Sequence, residues 1–361
     1  MIVKRKRKGH PVLTAAMLIS SALALSACAS GDGQPMDAAA ADASPSASSD
    51  YGKALTLSGV SPDGTESLFV ALNDAFAGDW KSKTGQDVSI KQTTGPSSVE
   101  KDAVNGGTLK ADLTVLGVGT DIDAIQAAGL VEEGWQQRYD YNSSPFYTTV
   151  AFAVRTGNPK GIKTWDDIAA PGVKLVAADP KTYSDARWTY TGAWAYAFDQ
   201  AADEEAAKTF VKSVYANAGA LDADEAAAQA RFLGGDGDVW LTTEARALAL
   251  AAGEAQGKIE VVVPPVTLAV EPIVSVVDKN ASEAGTREAA NGYADFLFTE
   301  PAQQIAAEHY YRPRFASIAE QFASQFPETT VLTVDDNLSG WEDLNSVQFA
   351  DGGLFDQLTG K

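Results

Sequence analysis

Residues 54–92 read ALTLSGVSPDGTESLFVALNDAFAGDWKSKTGQDVSIKQ, and this stretch decides the fold. Ala54–Val60 and Asp87–Gln92 are short runs of strand character. Between them, Glu66–Gly85 places Leu68, Leu72, Phe76 and Trp80 four residues apart, on one face of a helix. A strand at Asp112–Gly117 and a helix around Asp121–Ala128 extend the pattern to β-α-β-α-β. That alternation predicts a parallel sheet, because parallel neighbours need a long crossover and a helix supplies it.

After Asn142-Ser143-Ser144-Pro145, strands are expected at Tyr147–Arg155, Val173–Ala177 and Asp238–Leu241, with helices near Ala186–Gln200 and Glu204–Ala216. Strand character returns at Ile259–Pro264 and Ile273–Val277, ahead of helices at Gly285–Phe298 and Pro301–His309. The chain thus builds one α/β unit, leaves it for a second and comes back. The expected architecture is a two-lobed α/β body with parallel-rich sheets and a cleft between the lobes. Lobe 1 takes 53–141, lobe 2 takes 142–270, and 271–361 returns to lobe 1 with a C-terminal segment wrapping both. A hinge is expected near Asn142 and Pro272, where the chain crosses. Ligands of open parallel sheets sit outside the strand carboxyl ends, so the loops after the strands are where a site is expected.

The N-terminus reads as an export signal. Residues 4–8 are Lys-Arg-Lys-Arg-Lys, and Val12 to Leu25 carries no charge. That apolar run is short for a membrane span. It ends at Leu25-Ser26-Ala27-Cys28, and Cys28 is the single cysteine of the chain. The pattern resembles the bacterial lipobox, which makes 1–27 a signal peptide and Cys28 the lipid attachment point. From Ala29 the chain is rich in Ala, Ser, Asp, Gly and Pro without apolar periodicity, so 28–52 is expected to be the lipid anchor and a flexible tether with a reach of roughly 25–30 Å. The expected location is the outer face of the cell membrane.

Composition narrows the chemistry. Loss of residues 1–27 would remove five of the 28 basic residues and no acidic one, leaving a formal charge of about −25. Such a field disfavours nucleic acid and anionic lipid surfaces as partners. One histidine, His309, would remain, so histidine triads and His/Cys metal clusters are hard to build. No metal or other cofactor is implied. Gly117-Val118-Gly119 lacks a third glycine at Ile122, against a dinucleotide fingerprint. Asp335-Asp336-Asn337-Leu338-Ser339-Gly340 imitates the start of a calcium loop, but position twelve is Ser346, not Glu. It reads instead as a capping turn ahead of Trp341.

Several long stretches carry a family resemblance. Asp87–Gly95, Gly157-Asn158-Pro159-Lys160-Gly161-Ile162, Trp165–Gly172, Ala186-Arg187-Trp188, His309-Tyr310-Tyr311-Arg312-Pro313-Arg314, and Phe349–Gly353 followed by Phe355-Asp356-Gln357 resemble the sulfate- and thiosulfate-binding proteins of bacterial ABC importers. The similarity runs over essentially all of 54–358. It implies a type II periplasmic binding protein fold and a monomeric, non-catalytic receptor that delivers a small oxyanion to a membrane permease. In that family, neutral donors hold a desolvated dianion, which is anion binding by oriented dipoles.

Carried onto this chain, the resemblance puts the lobe 1 contacts at the backbone N–H of Asp63 and at Ser97, which reads equally as a helix N-cap. The lobe 2 contacts fall on Tyr183-Ser184-Asp185, where the family has Ser-Gly-Gly. They also fall on Glu225, at a backbone donor position, and on Thr243, at the position of the family's tryptophan donor. The lobe 2 side thus departs from the family's sulfate contacts. Two other readings accompany the resemblance: a diverged receptor for a protonated oxyanion or small organic solute, and, remotely, a secreted hydrolase using a carboxylate pair.

Overall fold

The computed structural model describes residues 51–360. The signal peptide, Cys28 and all but the last two residues of the expected tether lie outside the described residues. Tyr51 already belongs to the folded body: its ring packs edge-on against Trp80 at 6.4 Å and its hydroxyl meets Glu288.

The first sheet begins with β1 (Leu55–Pro62), α1 (Glu66–Thr84), β2 (Val88–Gly95), α2 (Ser97–Asn105), β3 (Leu113–Leu116) and α3 (Gly119–Ala127). Helix α1 buries Leu68, Leu72, Phe76 and Trp80 on the face their spacing predicts, and adds Phe69. It stops at Gly85, whose φ of 78° is left-handed backbone that a side chain would strain. The chain then crosses through α4 (Asp140–Ser143) into β4 (Phe146–Arg155), the central strand of the second sheet.

That second body continues with α5 (Trp165–Ala169), β5 (Leu175–Val176), α6 (Arg187–Ala201), α7 (Glu204–Ala216) and α8 (Glu225–Leu233). Then come β6 (Val239–Thr243), α9 (Glu244–Ala252), β7 (Ile259–Val262) and β8 (Val266–Val270). The return crossing leads to β9 (Ile273–Val276), α10 (Asp278–Ala284), α11 (Arg287–Leu297) and α12 (Glu300–Glu308), all on the first sheet or packed around it. A third crossing, through β10 (Arg312–Pro313), carries the chain back to β11 (Thr330–Leu332) at the edge of the second sheet and a run of short helices. We call the two bodies lobe 1 and lobe 2.

The sheets are ordered β2-β1-β3-β9 and β11-β8-β4-β6-β5. Pairs β1–β2, β1–β3, β5–β6 and β8–β11 are parallel, whereas β9 runs against β3, and β4 runs against β6, β7 and β8. The parallel pairing expected for the β-α-β-α-β run holds for β1, β2 and β3, while the two strands that begin at a crossing run antiparallel to their neighbours. A strand fed by a helix enters its sheet at the far edge; one fed across the hinge enters at the cleft edge and must run the other way. The register records this, with Ile273 opposite Leu116 and Val150 opposite Thr243, each at the carboxyl end of its partner strand.

Each lobe has its own apolar core. Leu57, Phe76, Val115, Tyr293 and Leu297 belong to lobe 1; Phe152, Trp165, Trp194, Val211 and Leu241 belong to lobe 2, with Leu344, Phe349 and Phe355 from the C-terminal segment. That segment also reaches lobe 1, where Asn345 donates to the Thr120 hydroxyl at 2.7 Å.

The Tyr310–Arg314 segment, read above as a family marker, ties the crossings together. Arg314 donates to the Ser144 carbonyl at 3.3 Å and to Glu271 at 2.7 Å, and its guanidinium lies over Tyr141 and Tyr147. Arg312 makes a two-pronged pair with Glu244, at 2.6 and 2.8 Å, and that carboxylate is fully buried. Tyr141, Asn142 and Ser143 all have positive φ, at 55°, 54° and 61°. Left-handed backbone costs a residue with a side chain roughly 1–2 kcal/mol, so the first crossing is held in place against its own preference. Asp335–Asn337 ends a one-turn helix capped by Thr333, and the chain then turns through Leu338–Gly340 so that Gly340 caps the helix opening at Trp341, as expected; among the described residues no His/Cys/Asp/Glu group of three or more could hold a metal.

Candidate functional site

The carboxyl ends of β1, β3 and β6 and the start of α9 face one another between the lobes, around a cavity of about 110 Å3. Its polar lining includes Asp63, Tyr183, Asp185, Glu225, Thr243 and Arg246, with Gly117 at its wall. Ser67, His309, Tyr310 and Tyr311 complete another part of the lining, and Ser67 bonds His309 Nδ1 at 3.2 Å. The volume suits a solute of a few heavy atoms.

Asp63 follows β1, as expected, but it presents its side chain. The β1–β2 ladder runs one residue past Pro62, so the Asp63 N–H donates to the Gly95 carbonyl at 3.0 Å. The donor implied by the resemblance is thus already used. The Asp63 carboxylate accepts from the Tyr183 hydroxyl and from Arg246 at 3.1 Å, both reaching over from lobe 2. Burial, and secondarily Asp185, pushes the Tyr183 phenol well above its ordinary range, so it remains a donor.

Ser97 is not the N-cap of α2. That position is Pro96, and Ser97 opens the helix fully buried. Its hydroxyl accepts the Gly117 N–H at 2.9 Å and donates to Oδ2 of Asp185 at 3.0 Å. The other Asp185 oxygen, Oδ1, is buried without a hydrogen-bond partner. It lies so close to Gly117 that a Cβ built there would stand 1.9 Å away. Burial, then the neighbouring Asp121 and Asp63 charges, push the Asp185 carboxyl up to about 7, against the Ser97 bond and Arg246.

Ser184 turns away from the cavity and donates to Asp121 at 3.3 Å. Glu225 opens α8, is 5% exposed and shares a hydrogen bond with the Thr242 hydroxyl. Burial pushes its carboxyl up to about 7, opposed by Arg246. Thr243 caps α9, accepting from the Arg246 N–H at 3.4 Å. It keeps its place in the lining, but its hydroxyl serves the helix.

Five of the seven expected residues therefore line the cavity, while Ser97 and Ser184 stand behind it. The sequence reading missed Arg246, the cation at the centre of the site. Its guanidinium holds the Asp63 carbonyl at 2.8 Å as well as the carboxylate. Burial works against its charge, but Tyr183, Glu225 and Asp63 outweigh burial and raise it. The signal was its place in the first turn of the helix after β6, the loop region a parallel sheet devotes to ligands. The site's indole is that of Trp188, which is committed to the Gly117 carbonyl at 2.6 Å. Three carboxyl groups thus surround one guanidinium. The arrangement brings charge of both signs to the cavity.

Comparisons with known proteins identify the family. Residues 64–312 match the family described as bacterial extracellular solute-binding protein. A sulfate-binding protein of Escherichia coli K12 is 38% identical over 315 residues, covering 87% of this chain and 95% of its own. A thiosulfate-binding protein of Pseudomonas aeruginosa is 37% identical over 307 residues, covering 84% and 92%. Among solved structures, the sulfate-binding protein SubI of Mycobacterium tuberculosis H37Rv is similar with a TM-score of 0.72 and 28% identity, covering 81% of this chain and 98% of that one.

Proposed function

Since this chain belongs to the bacterial extracellular solute-binding proteins, with their two-lobed type II periplasmic fold, we propose that it captures a small sulfate-like oxyanion between its lobes for a membrane permease of the ABC type. The observation that carries this reading is the cavity at the junction of both lobes, into which each lobe brings polar side chains. The lobes move about the three crossings, and the protein acts as a monomeric receptor without catalysis. That last point is supported by its relatives, which are named as sulfate- and thiosulfate-binding proteins. Cys28 carries the lipid that keeps the receptor at the outer face of the membrane.

A second reading has its own observation. An ionised carboxylate about 5 Å from a dianion repels it by roughly 6–7 kcal/mol at an effective dielectric of about 20. That could abolish micromolar binding. Asp185 and Glu225 in the lining therefore favour a ligand that brings a proton of its own, such as hydrogen phosphate or a solute with hydroxyl or amine groups. A thermal-shift screen against sulfate, thiosulfate, phosphate, molybdate and small organic solutes separates the two, because a ligand that binds only the folded state raises the unfolding temperature. A response to sulfate or thiosulfate supports the first reading; a response confined to proton-bearing solutes supports the second.

A further inference from the structure

We propose that Asp185 is a proton-linked gate on this cleft: its carboxyl must carry a proton before the site accepts a doubly charged oxyanion, so capture of an anion at alkaline pH draws a proton into the protein. The inference rests on the oxyanion reading given above and specifies it.

The geometry leaves the carboxyl half used. Ser97 has one hydroxyl proton and gives it to Oδ2, because its own oxygen is fixed by the Gly117 N–H. Oδ1 is sealed from water without a donor. A buried carboxylate oxygen with no partner is costly, and protonation removes the cost by removing the charge. Gly117 does not have the positive φ that favours glycine, so its missing side chain serves space: the carboxyl occupies the place of a Cβ. Asp185 and Gly117 both line the cavity, so an anion entering it meets this carboxyl.

The charged neighbours set the direction. Asp121 on α3 and Asp63 after β1 favour the protonated form; Arg246 on α9 and Arg187 on α6 favour the ionised form; Glu225 on α8 and His309 after α12 share the cavity lining. The Tyr183 and Tyr311 phenols are raised and stay neutral. Burial and the acids prevail, which puts the carboxyl's titration at about 7. A dianion adds negative charge and raises it further. Ionised, Asp185 can only repel the anion; protonated, it is neutral and the repulsion is gone. The proton comes from solvent, and no bond other than O–H is made.

Titration calorimetry of the purified protein with sulfate tests this, because sulfate itself does not titrate between pH 5.5 and 8.5. Runs at several pH values, in two buffers of different ionisation heat, count the protons taken up. The expected result is affinity that falls about tenfold for each pH unit above 7, with close to one proton taken up per sulfate at pH 8. Asp185→Asn and Asp185→Gly should take up close to one proton fewer per sulfate at pH 8 than the native protein, while Lys208→Gln on α7, outside the cavity lining, leaves the uptake unchanged. Flat, tight binding by the native protein, or proton uptake undiminished in Asp185→Asn, overturns the gate and leaves the receptor reading standing. Absence of sulfate binding by every form at every pH overturns the gate and the oxyanion reading together.

Discussion

Arg246 reaches out of α9 and grips Asp63 twice on the other side of the cleft, through the backbone carbonyl at 2.8 Å and the carboxylate at 3.1 Å. The same guanidinium opposes the upward shift of the Glu225 and Asp185 carboxyls. Arg246→Met should therefore remove an interlobe tie and strand three acids together. The expected loss is about 1.5–3 kcal/mol in denaturant unfolding, the scale of a hydrogen bond to a charged partner. Unchanged stability would mean that the contact contributes nothing net.

Gly117 and Asp185 should show strong coupling. Gly117→Ala places a methyl 1.9 Å from Oδ1 and must displace the carboxyl, at about 1–3 kcal/mol of overpacking. Asp185→Gly removes the obstacle, so Gly117→Ala should cost little in that background. A double-mutant cycle by chemical unfolding reads the difference directly. Additive effects would contradict the packing described.

The pH dependence of stability has a defined sign. Asp185 and Glu225 titrate at about 7 in the folded protein and near 4 when unfolded. Between those values the folded state holds more protons, so these groups favour folding at acid pH and withdraw that favour as pH rises through 7, at most about 1.4 kcal/mol per unit for each. The Asp185→Asn/Glu225→Gln double variant should gain on the native protein from pH 4 to pH 7, then level off. Parallel thermal unfolding curves at all pH values would show both carboxyls titrating normally.

Cys28 stands at the end of an uncharged run and ahead of a polar stretch. Cys28→Ser should move the protein from the membrane fraction to the soluble one in an expressing cell. Retention in the membrane fraction would contradict the anchor.

Much of the fold was legible because periodicity reports burial. The four-residue spacing of Leu68, Leu72, Phe76 and Trp80 is a direct imprint of the core, and α7 has the predicted bounds, Glu204–Ala216. Helices α8 and α9 escaped notice, being nine residues each and rich in small side chains with few core contacts to pattern, and α2 was legible only through Ser97 as a cap. The two missed helices nonetheless carry Glu225 and Arg246. Strand direction at β4 and β9 was equally hidden, since it depends on which edge the chain enters. The site was legible as positions and illegible as roles. That Asp63 would spend its N–H on Gly95, or that Asp185 would meet Ser97, is decided by the closeness of residues far apart in sequence.

The central claim is that an oxyanion binds in the interlobe cleft, and equilibrium binding of labelled sulfate at pH 6 tests it most directly. There the Asp185 carboxyl is mostly protonated. The account predicts saturable binding at one site per chain, competed by thiosulfate and weakened by Arg246→Met. Absence of saturable binding of either anion, by the native protein and by Asp185→Asn alike, would contradict it.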